Sequence, residues 1–316
     1  MITSILIPCF NASAFLTHTL KAAIENMESQ DEVIIVDDHS DDNSVHCARQ
    51  FLKAAEVQHT VAINPGKGAC SARNHALKLA TGNLIQWLDA DDILAPGKIS
   101  LQRQHLIAGV NTLVVSPFQP FIGNPREGFI EDQRDWSCCT AKRPSDWLAS
   151  GRMTIPACWL GHRSVFDAAG PWDTSLHMNQ DGEYFARALA ASDCLHYEPG
   201  ALAWYRRGVA GSVSSFTPEK AGSLFKSIES IQKTALSLEN SLRMRQMVAN
   251  KYQHAIYTAF PHCEEGIAKA RLELKNLPKP TISNPNTVSL MSKGFAFLFG
   301  WKSLNRLRML KAQLSK

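Results

Sequence analysis

Asp89, Asp91 and Asp92 stand within four residues of one another, directly behind the apolar run Leu84-Ile85-Gln86-Trp87-Leu88. Three carboxylates packed where a strand should end repel one another unless positive charge sits among them, and a hard divalent cation carrying phosphates is the usual answer. The cluster therefore points to phosphate-ester or nucleotide chemistry. Two more polar groups follow apolar runs upstream: Pro8-Cys9-Phe10-Asn11 after Ile5-Leu6-Ile7, and Asp37-Asp38 after Val33-Ile34-Ile35-Val36. Each has a plainer reading alone, since Asp38 to Asp42 could be a turn with a helix cap and Asp91-Asp92 could cap a helix after Pro96. Taken together with Arg73, they favour a nucleotide.

The elements that must position these residues are legible over the first hundred residues. Strand signals fall at Ile2–Pro8, Val33–Val36, Val57–Ile63 and Leu84–Leu88, and helical spacing at Ala12–Met27, from the caps at Ser40 to Ala54, and at Ala69–Ala80. The second strand is continuously apolar, as a parallel strand covered on both faces should be. Such alternation implies right-handed crossovers and a parallel sheet. In an open α/β sheet, ligands bind beyond the carboxyl ends of the strands where strand order reverses. The three polar clusters are thus expected to meet in one crevice.

Further along, Pro117, Pro120, Pro125, Pro144 and Pro156 suggest loops, short strands and one helix near Ser145–Ser150. A helix is expected over Gln180–Ala191 and a strand near Ala201–Arg206. After Ser212 the pattern turns to long helical stretches, Ser223–Ile256 foremost, and the Pro- and Asn-rich Pro278–Asn286 reads as a linker.

With 316 residues, 45% hydrophobic and 20% charged, the chain has the composition of a soluble globular protein with one large domain and an appendage. The net charge of +4 is unevenly placed. Lys293, Lys302, Arg306, Arg308, Lys311 and Lys316 lie in Ser289–Lys316 with no acid, which leaves the rest slightly acidic and argues against nucleic acid as a partner of the main domain. Eight cysteines without a C-x-x-C pair, and an opening on a strand rather than a signal peptide, suggest reduced thiols in a cytoplasmic protein. Cys158 with His162 lacks the second pair of a structural metal site and is read as structural. No apolar run approaches the roughly 18 residues of a membrane span.

The blocks Ser4–Asn11, Glu32–Asp42, Gly68 through Ala72-Arg73-Asn74, and Leu88–Asp92 resemble the inverting glycosyltransferases of family 2, over about residues 2 to 213. That family has the GT-A fold. The fold implied is α/β, with a mainly parallel, Rossmann-like central sheet, helices on both faces and, here, a helical C-terminal extension. The implied organisation is a GT-A nucleotide-sugar domain over 1–215, a helical extension over 216–277, a linker over 278–288 and a basic amphipathic tail over 289–316.

The resemblance also implies roles. Asp38 would accept a hydrogen bond from the nucleotide base, with Asp37 beside it, Pro8, Cys9 and Phe10 forming the adjoining pocket, and Asn11 shaping the loop. Arg73 suits the nucleotide or the carboxylates beside Asp89. Asp89 and Asp91 would be the D-x-D pair, the first near ribose and metal, the second a ligand of the Mn²⁺ or Mg²⁺ that bridges the diphosphate. His39 replaces the family's usual small residue after the paired Asp, at the rim of the base pocket.

An inverting transfer further needs a base for the acceptor hydroxyl. By analogy it lies in Asn179-Gln180-Asp181-Gly182-Glu183, downstream of Gly170-Pro171-Trp172-Asp173. Asp181 is the expected base, Glu183 the substitute, and a helix cap the plain alternative. Arg206 is a candidate diphosphate contact or a surface arginine, and Trp172 an acceptor contact or a core residue. The expected partners are a nucleotide-diphosphate sugar, with UDP favoured, and a glycan or lipid-linked acceptor. The basic tail, with Phe295, Phe297, Phe299 and Trp301 ahead of Leu304, Leu307, Leu310 and Leu314, would lie on the inner face of the cell membrane, dock on its own domain or pair with a second copy. The rival readings are a non-catalytic nucleotide-sugar-binding or assembly subunit and a sugar nucleotidyltransferase. The second lacks the Gly-rich triphosphate loop it would need near Pro8–Asn11.

Overall fold

The computed structural model of the chain describes residues 1–106, 108–124, 143–152, 154–209, 216–284, 292, 298 and 300–307. It divides into two compact units, one of Met1–Leu148, Arg152–Thr174 and Gln180–Ser212, the other of Ala149–Gly151, Ser175–Asn179 and Val213–Lys316. In chain order the strands are β1 (Thr3–Cys9), β2 (Glu32–Asp37), β3 (Gln58–Ile63), β4 (Leu84–Trp87), β5 (Ile93–Leu94), β6 (Thr112–Val115), β7 (Phe118–Phe121), β8 (Trp159–His162), β9 (Cys194–Tyr197) and β10 (Ala203–Arg206). The α-helices of the first unit include α1 (Leu16–Glu25), α2 (Ser44–Ala54), α3 (Ala69–Leu79), α4 (Lys98–Arg103), α6 (Arg163–Ala169) and α7 (Gln180–Ala190), with the short α5 (Pro144–Ala149) at its border.

Seven strands form one sheet in the order β3-β2-β1-β4-β8-β6-β9. Only β8 runs against its neighbours, so the sheet is mainly parallel, as expected. Its middle strands are apolar on both faces, with Ile5, Leu6, Ile7, Val33, Ile34, Val36, Leu84 and Ile85 essentially without exposure. The chain builds outward from β1 to β3, then returns past β2 and β1 to lay down β4 on the other side. With right-handed crossovers, that reversal puts α3 on the opposite face from α1 and α2. In register, Leu6 of β1 faces both Ile34 of β2 and Trp87 of β4, and Cys9 faces Asp37. The segments that follow β1, β2 and β4 therefore leave the sheet at one end. A second, three-stranded sheet, β5-β10-β7, ties Ile93-Leu94 to Ala203–Arg206.

The middle of the chain holds more order than its prolines suggest. The sequence reading expected a helix near Ser145–Ser150, and α5 lies there; β6, α6 and β9 had no forecast. Their strands are four residues each, too short for periodicity to declare, and they are recruited by pairing with β8 and β6. Among the described residues no group of three or more His, Cys, Asp or Glu is placed to hold a metal ion. His162 Nδ1 instead accepts the Thr112 amide at 3.2 Å.

Beneath this part of the sheet lies a buried amide network. Lys98, wholly buried, donates from Nζ to Gln86 Oε1 at 3.0 Å and Gln102 Oε1 at 2.5 Å. The two amides in turn donate to the carbonyls of Trp87, Ala157, Val114 and Cys158. No carboxylate partners the ammonium in this set, and burial pulls its pKa down to about 7.

In the second unit, α8 (Ala221–Leu238), α9 (Leu242–Ala259) and α10 (Glu264–Lys275) pack on one another. The long helical stretch read over Ser223–Ile256 is helical and falls into two helices, divided at Glu239-Asn240-Ser241, where the Ser241 hydroxyl caps the Met244 amide. The segment read as a linker runs against α9, with Gln246 donating to the Lys279 carbonyl and Asn250 accepting from the Thr281 amide. Residues 301–307 are helical and dock on their own unit: Trp301 packs edge-on against Tyr257 and Phe260, Leu304 and Asn305 are buried, and Asn305 donates to the Tyr257 carbonyl. Part of the apolar face expected for a membrane is thus spent internally, while Leu298 and Leu307 stay exposed. Phe295, Phe297, Phe299, Leu310, Lys311 and Leu314, like Cys138 and Cys139, lie outside the described residues. Among the described residues no helix is long and apolar enough to cross a membrane.

The Lys98 network makes a prediction about pH. The unfolded chain, with an ordinary lysine, holds a proton between about 7 and 10.5 that the folded state releases, so this residue's contribution to stability rises with pH across that window. In Lys98→Met that contribution is gone. Thermal denaturation at pH 7 and pH 9.5 should show the variant losing stability relative to the parent as pH rises, and parallel curves would refute the assignment.

Candidate active site

The loops after β1 and β2 are latched together. Asn11 donates its amide to Ser40 Oγ at 2.9 Å, its side-chain oxygen accepts the Asp41 amide at 3.0 Å, and the Ala12 and Ser13 amides donate to Ser44 Oγ and Asp42. The latch requires two sharp reversals, and both Asn11 (φ 47°) and His39 (φ 63°) take the left-handed conformation. Asn does this at small cost; His does so less readily and is held by a ring nitrogen 2.9 Å from the Gly66 carbonyl. Asp37 spends its carboxylate inside the turn, accepting from the Ser40 amide and hydroxyl at 2.9 and 2.5 Å. Of the expected base pocket, Phe10 is exposed, Pro8 partly so, and Cys9 buried with its thiol pushed up to about 12, chiefly by burial.

Asp38 points to the loop after β3. Its carboxylate accepts from Asn64 Nδ2 at 2.6 Å and from the Gly68 amide at 2.9 and 2.8 Å. Gly68 has φ +89°, which a side chain would strain, and it opens α3. Asn64, itself buried, was missed by the sequence reading; the only hint was its place directly after a strand and before Pro65-Gly66.

The acidic turn after β4 is treated unevenly. Asp89 accepts from Arg73 Nη2 at 2.7 Å. Asp91 is pushed up to about 6 by burial first and the charge of Asp89 second. Asp92, wholly buried, accepts the Arg206 amide with one oxygen, has no hydrogen-bond partner on the other among the described residues, and is pushed well above the carboxylate range by burial and by its two neighbours. Arg206 is not a surface arginine: it is 8% exposed, and its guanidinium lies between the rings of Phe15 and Phe121. It donates to the Asp91 carbonyl at 2.9 Å and the Gly123 carbonyl at 2.8 Å, which ties β10 to the acidic turn. The stretch 210–215 that follows it lies outside the described residues.

Across from this turn stands Asp181, in the first turn of α7. Its carboxylate is 3.9 Å from Arg73 Nη1, with 35% of the side chain exposed. Surrounding protein raises its pKa to about 6, Arg73 opposing and Asp89 adding to the shift. Glu183 sits differently: it is buried, and both oxygens are held by Arg187 at 2.7 and 2.8 Å. Trp172 is 2% exposed, stacked on Tyr184 at 3.9 Å and edge-on to Trp87 and Phe185, so it packs the core rather than meeting an acceptor. Its backbone is clamped by Asn74, which donates to the Trp172 carbonyl at 2.9 Å and accepts the Trp172 amide at 2.7 Å. Asn74 is a second residue the sequence reading gave no role, although it sits beside Arg73 in a block already singled out.

The arrangement can hold a cation and phosphates at Asp89 and Asp91, accept a base at Asp38, and take a proton at Asp181. Arg206 makes the testable difference between frame and ligand. Arg206→Met strands the Asp91 and Gly123 carbonyls, while the backbone amide that Asp92 accepts remains, and should cost about 2 to 4 kcal/mol in urea denaturation. An unchanged urea midpoint would mean that the guanidinium does not carry the turn.

Residues 4–170 match the family model described as Glycosyl transferase family 2. A UDP-Glc:alpha-D-GlcNAc-diphosphoundecaprenol beta-1,3-glucosyltransferase of Escherichia coli is 31% identical over 102 residues, which are 32% of this chain and 39% of that one. A poly-beta-1,6-N-acetyl-D-glucosamine synthase of Staphylococcus epidermidis is 26% identical over 238 residues, 71% of this chain and 52% of the other. The chain thus spans about two-fifths to one half of these curated relatives. Among solved structures, residues 1–349 of S. aureus TarS in complex with UDP-GlcNAc superpose with a TM-score of 0.60 at 13% identity, over 87% of this chain and 89% of that one. The mannosyltransferase PcManGT of Pyrobaculum calidifontis, in complex with GDP-Man and Mn²⁺, gives 0.56 at 12% identity, over 98% and 86%. These likenesses establish the fold as GT-A type. With more than half of its length matched by one family model, the chain belongs to glycosyl transferase family 2.

Proposed function

We propose that the protein is an inverting glycosyltransferase that takes a sugar from a nucleotide-diphosphate donor, UDP-sugar favoured, and passes it to a hydroxyl of a glycan or lipid-linked acceptor. The observation that carries this reading is the facing of Asp89 and Asp181 across Arg73: an acidic turn on one side, a carboxylate primed to take a proton on the other. Relatives named for transfer from UDP-Glc and for poly-N-acetylglucosamine synthesis support the substrate class. A lipid-linked acceptor would bring the protein to the inner face of a membrane.

Asp38 accepts a hydrogen bond from the base, between the loops that carry Pro8, Phe10 and Asn11, while Asp37 keeps its turn closed. Mn²⁺ or Mg²⁺ fits the donor set at Asp89 and Asp91, because two carboxylates on one short turn, with few other protein ligands beside them, suit a hard cation that also takes phosphate oxygens. No preassembled cluster of three ligands exists among the described residues, which leaves room for phosphate oxygens. When bound, such an ion neutralises charge on the departing diphosphate. Asp181 takes the proton of the acceptor hydroxyl as its oxygen bonds to the anomeric carbon, on the face opposite the leaving diphosphate.

The test begins with thermal shift against UDP-, GDP- and dTDP-sugars with and without Mn²⁺. UDP-sugars should stabilise most, and chelation should remove the effect. Asp181→Asn should cut UDP release by at least about a thousandfold while UDP binding changes less than about threefold. Because Asp181 must be unprotonated to act, turnover should rise with pH through about 6 and level off above it. Full turnover by Asp181→Asn, or a flat profile from pH 5 to 8, would exclude Asp181 as the base. Donor binding with no turnover under any condition would favour a non-catalytic subunit.

A further inference from the structure

Arg73 leaves α3 nearly buried, at 6% exposure, and meets three groups at once. Nη2 donates to Asp89 at 2.7 Å, Nη1 lies 3.9 Å from Asp181, and Cζ sits 4.5 Å from the centre of the Trp172 ring. Among the described residues, Nε and Nη1 are buried without a hydrogen-bond partner. Unspent buried donors are costly, and a cation needed only to pair with Asp89 could stand at the surface as a lysine. The neighbouring Asn74 exchanges two hydrogen bonds with the Trp172 backbone. One helix therefore fixes both the guanidinium and the ring on which it rests.

We propose that Arg73 is a positioning residue that sets the placement of Asp181 relative to Asp89, rather than a ligand of the nucleotide. The inference rests on the reading of Asp181 as the base. The fork grips Asp89 by a hydrogen bond at 2.7 Å and holds Asp181 by charge at 3.9 Å, within ion-pair range though beyond hydrogen-bond length. Burial opposes the charge on Arg73, but Asp89 and then Asp181 more than restore it, and the guanidinium stays protonated. The charged groups facing Asp181 are Arg73 from α3 and Asp89 from the turn after β4. One turn back on α3, the Cys70 thiol is pushed up to about 12 by burial and stays neutral. A rigid fork is required because the two carboxylates lie on different elements; a lysine ammonium is a single point that serves one of them.

Three measurements on Arg73→Met and Arg73→Lys separate positioning from binding: UDP affinity by calorimetry with Mn²⁺, the rate and KM of UDP-glucose and UDP-N-acetylglucosamine hydrolysis, and the titration of Asp181 followed by carbon-13 NMR. In Arg73→Met the Asp181 midpoint should move up by about one pH unit, since its nearest cation is gone. Turnover should fall by about tenfold or more with UDP affinity within about threefold, and Arg73→Lys should not rescue turnover. Should Arg73→Met fail to fold, Arg73→Lys carries the same measurements, with turnover falling at unchanged UDP affinity. An Asp181 midpoint that stays at the parent value in Arg73→Met, turnover restored by Arg73→Lys, or UDP affinity that falls in step with turnover would overturn the proposal and assign Arg73 to the donor. Failure of the base reading shows separately, as full hydrolysis by Asp181→Asn, while the Asp181 titration still reports whether Arg73 acts on it.

Discussion

Three carboxylates within four residues cannot all be ionised and unpaired in a half-buried turn, and each meets a different fate. Asp89 is neutralised by Arg73, Asp92 is buried and pushed well above the usual carboxylate range by that burial and by its two neighbours, and Asp91 is left with its charge only partly met. The rest of the site follows from that division. Arg73 must be buried to reach Asp89, so it needs a seat, which Trp172 provides. Arg206 must hold the turn by its carbonyl rather than by its carboxylates, so it needs the small second sheet to bring it there. The turn thus pairs one carboxylate, buries another and leaves Asp91 the least compensated of the three.

The N-terminal half of this plan was legible because its signals are local. Apolar runs of four to seven residues followed by Pro, Asn or Asp announce parallel strands with ligand-facing ends, and β1, β2, β3 and β4 lie within two residues of where those runs placed them. What patterns of that length cannot reveal is a partner across the fold. That Asp38 would be held by Asn64 and Gly68, or that Trp172 would be buried under a guanidinium instead of facing solvent, depends on contacts separated by up to 98 residues. A tryptophan after Gly-Pro carries no mark that separates a sugar platform from a core residue; its neighbours Tyr184 and Trp87 decide. Likewise β6 and β9 become strands through pairing rather than through their own four residues.

The helical unit shows the same limit from another side. Periodicity gave helix over Ser223–Ile256, and almost all of it is helix, but a single capping serine divides it. The tail shows a helix whose apolar spacing was compatible with several surfaces. Trp301, Leu304 and Asn305 face their own unit, and what remains outward is the mixture of Lys302, Arg306 and Leu307. Amphipathicity states that a face will be covered and leaves open by what.

Strand β8 is the one element of the main sheet that runs backward. Its carboxyl end opens away from the crevice, so the chain must return through α6 before it can deliver Trp172 and then Asp181. During synthesis this imposes an order in time. The strands and turns that carry Asp38 and Asp89 leave the ribosome about ninety residues ahead of Asp181, and domains tend to fold from the N-terminus as they emerge. The two acidic turns are thus in place before the α7 residue proposed above as the base has emerged.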